Sequence, residues 1–509
     1  MISLDRRSAT LAGLSALLLP GSGRAQEVKG GQLRVGILAD ISNFDPQSFL
    51  VLNFPVIKNL YDSLIEYTPD GKPIPSLATE WQIAPDAASV TLALRRDVKF
   101  QSGSPFDAKA VAATLEKAAD PRRGKNVYAT MSIVKGWTAL DDFTFRIDFK
   151  GPAPEQQITD LLQFVSVIDP AGIDTVETKP AGTGAYVLAE RAVGQRLHFT
   201  ANPNYWRSEE PVSKELVITI FSEDSAASAA LESGAIDIVY GGTARSAVRL
   251  KAAGYQMLSG PGKLVQVFRI NATRGPFRNE KFRQAFNYLM DRANILRLGY
   301  ANVGQVVALP WAPVSPAYDA SYNEQYAFNI DKAKALLKES GLSEAEMNGW
   351  KLMVNTANQP EVVIAQLVQS TIARVGIKIE LDLRPSADFT EAMLGGKFDA
   401  IFGAIGNVQK FPSRLATNSI YRTENNPVLG TPHPFPAYVE AIKRVDTTIA
   451  PPEAVKAAYD NLNKVLVDSA FGIPTNTIDS GLIVAAKNVG GVTLDIDNML
   501  VARTIGFTR

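Results

Sequence analysis

The alternation of apolar and polar residues predicts an α/β protein. In the C-terminal half, Ile377, Ile379, Leu381 and Leu383 alternate with charged residues, as in a half-buried strand. The surrounding pattern predicts a strand at Trp350–Asn355, a helix at Glu361–Val375, a helix at Asp388–Leu394 and a strand at Phe398–Ala404. Strands that alternate with helices in this way run parallel and are joined by right-handed crossovers. The loop Ile405–Tyr421 is therefore expected at a carboxyl edge of the sheet, where open α/β sheets bind ligands.

A segment near the middle of the chain is predicted to cross between two folded bodies. Breakers at Ser259–Gly262 precede an apolar run that ends at Ile270 and has the length of a buried strand. One long helix should follow, with Asn279 as its N-cap. Its apolar stripe has helical spacing and consists of Phe282, Ala285, Phe286, Leu289, Met290, Ala293 and Leu296. The crossing is assigned to Gly260–Ile270.

The N-terminal half is predicted to carry an additional α+β unit. Antiparallel strands at Trp81–Ile83, Ser89–Leu94 and Phe143–Phe149 surround a helix that begins after Asp107. After this unit, a β-α-β arrangement is predicted from Lys214 to Tyr240. The region from about 71 to 185 is therefore interpreted as a small subdomain inserted into the first body.

Length and composition limit the classes of function. A chain of 509 residues exceeds a single core, so two or three domains are expected. Charged residues make up 20%, and the formal net charge is +0, which gives no basic field for nucleic acid. Cysteine is absent, and the two histidines, His198 and His433, are far apart in the sequence. This excludes disulfides and thiolate chemistry and disfavours a zinc site, so no cofactor is expected.

Residues 1–26 have the pattern of an export signal. Arg6 and Arg7 form a basic start, a weakly apolar run follows, and Gly23-Arg24-Ala25 resembles a cleavage site. The paired arginines favour the twin-arginine route, with ordinary secretion as the alternative. No cysteine is available for a lipid anchor, so a soluble periplasmic protein is expected.

Short motifs spread over nearly the whole chain resemble one family of proteins. They are Phe44-Asp45-Pro46, Asn59–Leu64, Pro75–Trp81, Leu94–Phe100, Ser102–Ala108, Gly182–Tyr186, Asn202–Trp206 and Pro276–Ala285. As an ordered set they are similar to the family 5 extracellular solute-binding proteins of ABC importers, which include dipeptide, oligopeptide and nickel receptors. The Gly182-x-Gly184 pair lacks the third glycine of a dinucleotide loop and is interpreted as a turn.

The resemblance implies a type II, cluster C-like periplasmic binding protein fold with an extra α+β subdomain in lobe one. The expected division is a signal peptide at 1–26, lobe I at 27–262 with its subdomain at about 71–185, lobe II at 263–477, and a return to lobe I at 478–509. The implied function is capture of a small organic solute, peptide-like or anionic, by hinged lobe closure. The implied partners are the solute and the transmembrane permease subunits. We expect a monomer, no nucleic acid and no catalysis.

Solute-binding residues are assigned from the same resemblance. The candidates are Asn43, Phe44, Tyr128, Trp311, Asn407, Gln409, Lys410 and Arg414. Peptide-binding members carry an aspartate in the loop where this chain has Gly406–Arg414 without an acid, which argues against a free peptide. Arg414 offers a fork for a carboxylate or phosphonate, or is a solvated loop cation. Trp311 either stacks on the solute or packs within its loop. The open alternatives are a metal-chelate receptor of the same family and an exported hydrolase.

Overall fold

The structure of the chain is a computed structural model. It describes residues 30–48, 54–128, 130–260, 262, 264–406, 408, 412–479, 481–494, 497 and 499–508. The predicted signal peptide lies outside these residues. None of the described helices is both long and apolar enough to cross a membrane.

The first large sheet contains strands from both ends of the chain. In spatial order its strands are Gln256–Leu258, Ile483–Ala485, Ile238–Tyr240, Gln32–Ile37, Glu215–Ile220, Arg196–Ala201 and Tyr186–Ala192. The central strand Gln32–Ile37 is parallel to both of its neighbours. Leu33, Val35 and Ile37 are almost fully buried, so this strand forms part of the core of lobe I.

The second large sheet forms lobe II. In spatial order its strands are Glu380–Arg384, Lys351–Asn355, Ala400–Gly406, Leu264–Ile270 and Gly472–Ile478. The first three are parallel, as the alternating pattern predicts, and the last two are antiparallel to their neighbours. The chain leaves the first sheet after Leu258 and enters the second at Leu264, then leaves at Ile478 and returns at Ile483. The predicted two-lobed α/β fold is confirmed.

A separate four-stranded antiparallel sheet builds the subdomain of lobe I. Its strands in spatial order are Ala78–Ile83, Ser89–Leu94, Thr144–Phe149 and Val134–Ala139. Helices Ala108–Ala119 and Glu155–Phe164 contribute apolar residues to the same core. Asp107 caps the first of these helices by accepting from the backbone amides of Lys109 and Ala110.

The single helix predicted from Asn279 to Leu296 is wrong, because the structure has two helices there. They are Glu280–Leu289 and Arg292–Tyr300. Met290 is extended, and the carboxylate of Asp291 accepts from the amide of Asn294, so a second N-cap interrupts the first helix. The apolar stripe continues across the break, because both helices bury their apolar side chains in one core.

Ten further α-helices occur among the described residues. They are Phe54–Leu60, Asp224–Glu232, Ala244–Ala252, Ser321–Gln325, Ile330–Glu339, Glu344–Met347, Gln359–Ala373, Ser386–Leu394, Pro436–Thr447 and Pro452–Ser469. The Gly182-Thr183-Gly184 segment crosses the end of helix Phe54–Leu60. A Cβ atom at Gly184 would lie 2.4 Å from the carbonyl carbon of Leu60, so only glycine fits this approach.

Candidate interlobe solute site

The carboxyl edges of the two large sheets lie at the interlobe crossings. Strands Gln32–Ile37 and Ile238–Tyr240 are parallel and end at one edge of the first sheet, where Tyr240 pairs with Ile483 of the returning chain. In the second sheet, Gly406 ends a parallel strand and pairs with Leu264, which in turn pairs with Ile478. Both crossings therefore leave and enter the sheets at the edges where α/β folds bind ligands.

A cavity of 520 Å³ lies between these edges. Lobe I contributes the turn and helix start that follow strand Ile238–Tyr240, and lobe II contributes residues from two helices; the strand end before the second crossing completes the wall. The polar lining includes Thr243, Arg245, Tyr300, Gln359 and Asp479. Its volume lies in the range of small-molecule sites, which is about 300–1,000 Å³.

Arg245 is the cation of this lining that lacks an acidic partner. Its side chain is exposed, and among the described residues no carboxylate pairs with it. The start of its helix is already occupied, because Asp224 accepts from the amide of Thr243 at 3.0 Å and from the hydroxyls of Thr243 and Ser246. The guanidinium of Arg245 is therefore a candidate group for contact with an anion.

Asp479 joins the two crossings at the edge of the cavity. Its carboxylate accepts from the amide of Gly260 in the first crossing at 2.8 Å and from the amide of Gly481 in the second at 3.1 Å. Burial raises the pKa of this carboxyl to about 6, although the two amide hydrogen bonds oppose the shift. The side chain therefore fixes one crossing against the other.

A buried polar group lies beside the cavity in lobe II. The hydroxyl of Tyr300 donates to Gln266 Oε1 at 3.1 Å, and Gln266 Nε2 donates to Glu361 Oε1 at 3.4 Å. Glu361 is 6% exposed, and burial raises the pKa of its carboxyl to about 7. The hydrogen bond from Gln266 and the charge of Arg269 oppose the shift but do not cancel it.

Glu361→Gln is expected to remove a pH dependence of stability. Because the folded state binds this proton more tightly than the unfolded chain, the contribution of Glu361 to the unfolding free energy falls as pH rises from about 4.5 to about 7. The stability of the variant relative to the wild type should therefore increase over that range, by on the order of 2–3 kcal/mol. Urea unfolding of both proteins at pH 4.5, 6 and 8 measures it, and a constant difference would contradict the expectation.

The structure separates the residues assigned from the sequence. Phe44 is 2% exposed and packs in the core of lobe I, and Trp311 is fully buried in the core of lobe II. Tyr128 is 44% exposed, and Asn43 is partly exposed and accepts from the amide of Asp45. None of these four described residues, nor Arg414, lines the 520 Å³ cavity. Asn407, Gln409 and Lys410 lie outside the described residues.

Arg414 contacts the opposite lobe instead. Its Nη2 lies 2.9 Å from Asp160 Oδ2 and donates to the hydroxyl of Thr130 at 3.1 Å, and both partners belong to the subdomain. Arg245 and Gln359 are not among the residues predicted from the sequence, although both lie at the start of helices that follow predicted strands. Ligands bind at the carboxyl ends of parallel strands, and applying this expectation to every predicted strand would include both residues.

Among the described residues, no group of three or more His, Asp and Glu side chains is arranged to hold a metal ion.

Two titratable groups of lobe II lie outside the cavity lining. Asp446 has a raised pKa because its carboxyl is buried, and it accepts from the hydroxyl of Ser413 at 2.5 Å. His433 is 7% exposed, and burial lowers its pKa.

Comparisons with known proteins agree with this architecture. Residues 72–426 match the family model described as bacterial extracellular solute-binding proteins, family 5 Middle. The chain is 26% identical over 381 residues to heme-binding protein A of Haemophilus influenzae, covering 69% of each chain. It is 26% identical over 365 residues to the nickel-binding periplasmic protein of Escherichia coli, covering 67% of this chain and 69% of the relative.

The crystal structure of NikA from Brucella suis in complex with Fe(III)-EDTA shares the fold. It superposes with a TM-score of 0.82 at 21% identity and covers 94% of this chain and 100% of the other. The family match spans most of the chain, including the subdomain and most of lobe II. The chain therefore belongs to the family 5 bacterial extracellular solute-binding proteins, the solute-binding components of ABC importers.

Proposed function

We propose that the protein captures a small organic anion in the interlobe cavity and releases it unchanged to a membrane permease. The observation that carries this proposal is an arginine without an acidic partner in a 520 Å³ cavity between two sheet edges. A guanidinium presents two parallel donors to a carboxylate or phosphonate, which favours an acidic solute over a neutral one. Closure of the lobes around the solute then removes water from this contact.

The rest of the lining suits a solute with an apolar body and a few polar groups. Val303, Val363 and the edge of Tyr300 supply apolar surface, and Thr243 and Gln359 supply polar groups. We propose Asn43 and Tyr128 as further contacts at the rim, because parts of both side chains remain exposed. Phe44 and Trp311 are better explained by packing, since both are buried in lobe cores.

Arg245→Ala is expected to raise the dissociation constant for the solute about 10- to 100-fold, because a charge-assisted hydrogen bond is lost. Native mass spectrometry of freshly purified protein first identifies a retained solute, and titration calorimetry then compares wild type and variant with that compound. Arg249→Ala is the matched control, because Arg249 lies one turn further along the same helix and pairs with Glu232. Equal affinity of the wild type and Arg245→Ala would refute the role of Arg245.

We propose a periplasmic, monomeric protein without a lipid anchor, exported by the predicted signal at 1–26. The proposed lobe boundaries are 27–262 for lobe I with its subdomain, 263–477 for lobe II and 478–509 for the return. The positions at which the chain changes sheets support these boundaries.

A metal chelate is the second candidate, because a chelator that presents carboxylates would use the same arginine. The NikA complex with Fe(III)-EDTA has such a ligand. Elemental analysis of the purified protein together with native mass spectrometry distinguishes the two cases: a metal-free organic mass supports the first, and a metal that leaves together with an organic mass supports the second.

A further inference from the structure

An ion pair between the subdomain and lobe II involves a residue that the solute proposal does not use. Asp160 lies on helix Glu155–Phe164, and its side chain is 6% exposed. Its Oδ2 forms an ion pair with Nη2 of Arg414 at 2.9 Å, and the side chain of Arg414 is 19% exposed. Thr130, also in the subdomain, accepts from the same guanidinium nitrogen at 3.1 Å. Two oxygens of one lobe thus hold one arginine of the other.

Hydrogen bonds within lobe II hold the backbone around Arg414. The carbonyl of Arg414 accepts from the hydroxyl of Thr417 at 2.8 Å and from the side-chain amide of Asn418 at 3.0 Å. The neighbouring Ser413 is bound to Asp446 of helix Pro436–Thr447. The side chain therefore projects from a preorganised turn, which reduces the entropy that the interlobe contact costs.

The surface beside this pair is not packed. A cavity of 320 Å³ separates Pro154, Glu155 and Gln156 of the subdomain from Ile449, Val455 and Tyr459 of lobe II, and Ile449 remains 39% exposed. Because apolar packing does not fill this part of the space between the lobes, polar contacts such as the Asp160–Arg414 pair contribute to holding them together. Such a contact can break when the lobes separate, since both groups become solvated.

We infer that Asp160 is a positioning residue that stabilises the closed arrangement of the lobes by holding Arg414. The turn that carries Arg414 follows strand Ala400–Gly406, which ends at the solute-binding edge of the second sheet. The pair thus connects the subdomain to the turn that follows this strand of lobe II. The inference rests on the two-lobed solute-binding function, but it does not depend on which solute Arg245 binds.

The absence of cysteine allows a direct measurement of closure. Leu140→Cys in the subdomain and Leu394→Cys in lobe II, which are 55% and 65% exposed, introduce two thiols for a pair of fluorescent dyes. Single-molecule energy transfer on protein that has been unfolded, dialysed and refolded to remove solute then gives the ratio of closed to open molecules. The probe is the protein itself, so the result is separate from any failure to find the solute.

Asp160→Asn is expected to lower the ratio of closed to open molecules about tenfold, because the partly buried ion pair with Arg414 is lost. Raising NaCl from 0.05 to 0.5 M should lower the ratio in the wild type but have a smaller effect in the variant. Arg414→Gln should also lower the ratio, and the double variant should lower it by less than the product of the two single effects, because the two residues share one contact. Thermal melting of each protein shows that it is folded.

Glu155→Gln is the matched control, because it removes an exposed carboxylate from the same helix and should leave the ratio unchanged. Equal ratios in the wild type and Asp160→Asn, including no closed molecules in either, would overturn the inference. Additive effects in the double variant would also overturn it, since they would show that the two residues act separately.

Discussion

Lys117→Met is expected to destabilise lobe I by about 3–5 kcal/mol, because it leaves a buried carboxylate without its cation. The ammonium of Lys117 lies 2.6 Å from Asp45 Oδ2, with side-chain exposures of 5% and 0%. It also donates to Gln47 Oε1 at 3.0 Å and to the carbonyl of Arg123 at 3.1 Å. Urea unfolding of the solute-free protein measures the loss.

The buried pair joins the segment after the first strand to a helix of the subdomain. Gln47 strengthens the connection by donating to the carbonyl of Thr114 on the same helix at 3.0 Å. Since Asn43 and Phe44 lie immediately before Asp45, we expect Lys117→Met to loosen this segment of lobe I as well. Increased amide hydrogen exchange at residues 41–48 would report this change.

Lys125→Met provides the matched control, because Lys125 pairs with Glu177 nearby and both side chains are largely exposed, at 38% and 53%. Its stability should be nearly that of the wild type, because solvent screens an exposed pair. Equal losses in the two variants would show that the burial of Asp45 and Lys117 is not what makes the pair important.

Trp311→Ala is expected to lower the unfolding free energy by about 3–5 kcal/mol through loss of core contacts. Trp311 is fully buried in the main core of lobe II, and its indole nitrogen donates to Asn463 Oδ1 at 2.6 Å. Asn463 in turn donates to the carbonyl of Ala317 at 2.8 Å. The substitution removes the ring and leaves the buried oxygen of Asn463 without this donor, and both losses destabilise the fold.

The experiment also distinguishes the two roles considered for Trp311. A residue that only stacks on solute would leave the melting temperature of the solute-free protein unchanged, whereas a core residue lowers it. Leu394→Ala is the control, because this side chain of the same lobe is 65% exposed and should change stability by about 0.5 kcal/mol or less. An unchanged melting temperature in Trp311→Ala would contradict its assignment to the core.

Local pattern was sufficient to predict most of lobe II. The strands near Trp350, Leu381 and Phe402 and the helices between them have clear periods, and the structure places them in parallel order. Apolar periodicity does not reveal the break at Met290, because it shows only which helix face is buried. The buried face is continuous across the two helices. The N-cap residue Asp291 was the local signal for the interruption.

The site was harder to predict, because its residues are brought together only by tertiary structure. Arg245 and Tyr300 come from different lobes, and no spacing in the sequence connects them. The charge of Arg414 and its position in a loop predict a solute contact, but neither shows that the folded chain places Asp160 beside it. The sequence likewise does not show that Trp311 and Phe44 are buried in the lobe cores, since aromatic residues occur both in cores and in ligand sites.

The two chain crossings also bear on how such proteins can diversify. Leu264 and Ile478, where the chain enters and leaves the second sheet, are direct pairing partners, so lobe II is inserted into its neighbour through two adjacent connections. An insertion whose ends meet can be exchanged as a cassette with little disturbance to the host. Recombination at these two points would combine lobe I of one receptor with lobe II of another, and the change in the opposing wall of the cleft would require no redesign of the remaining chain.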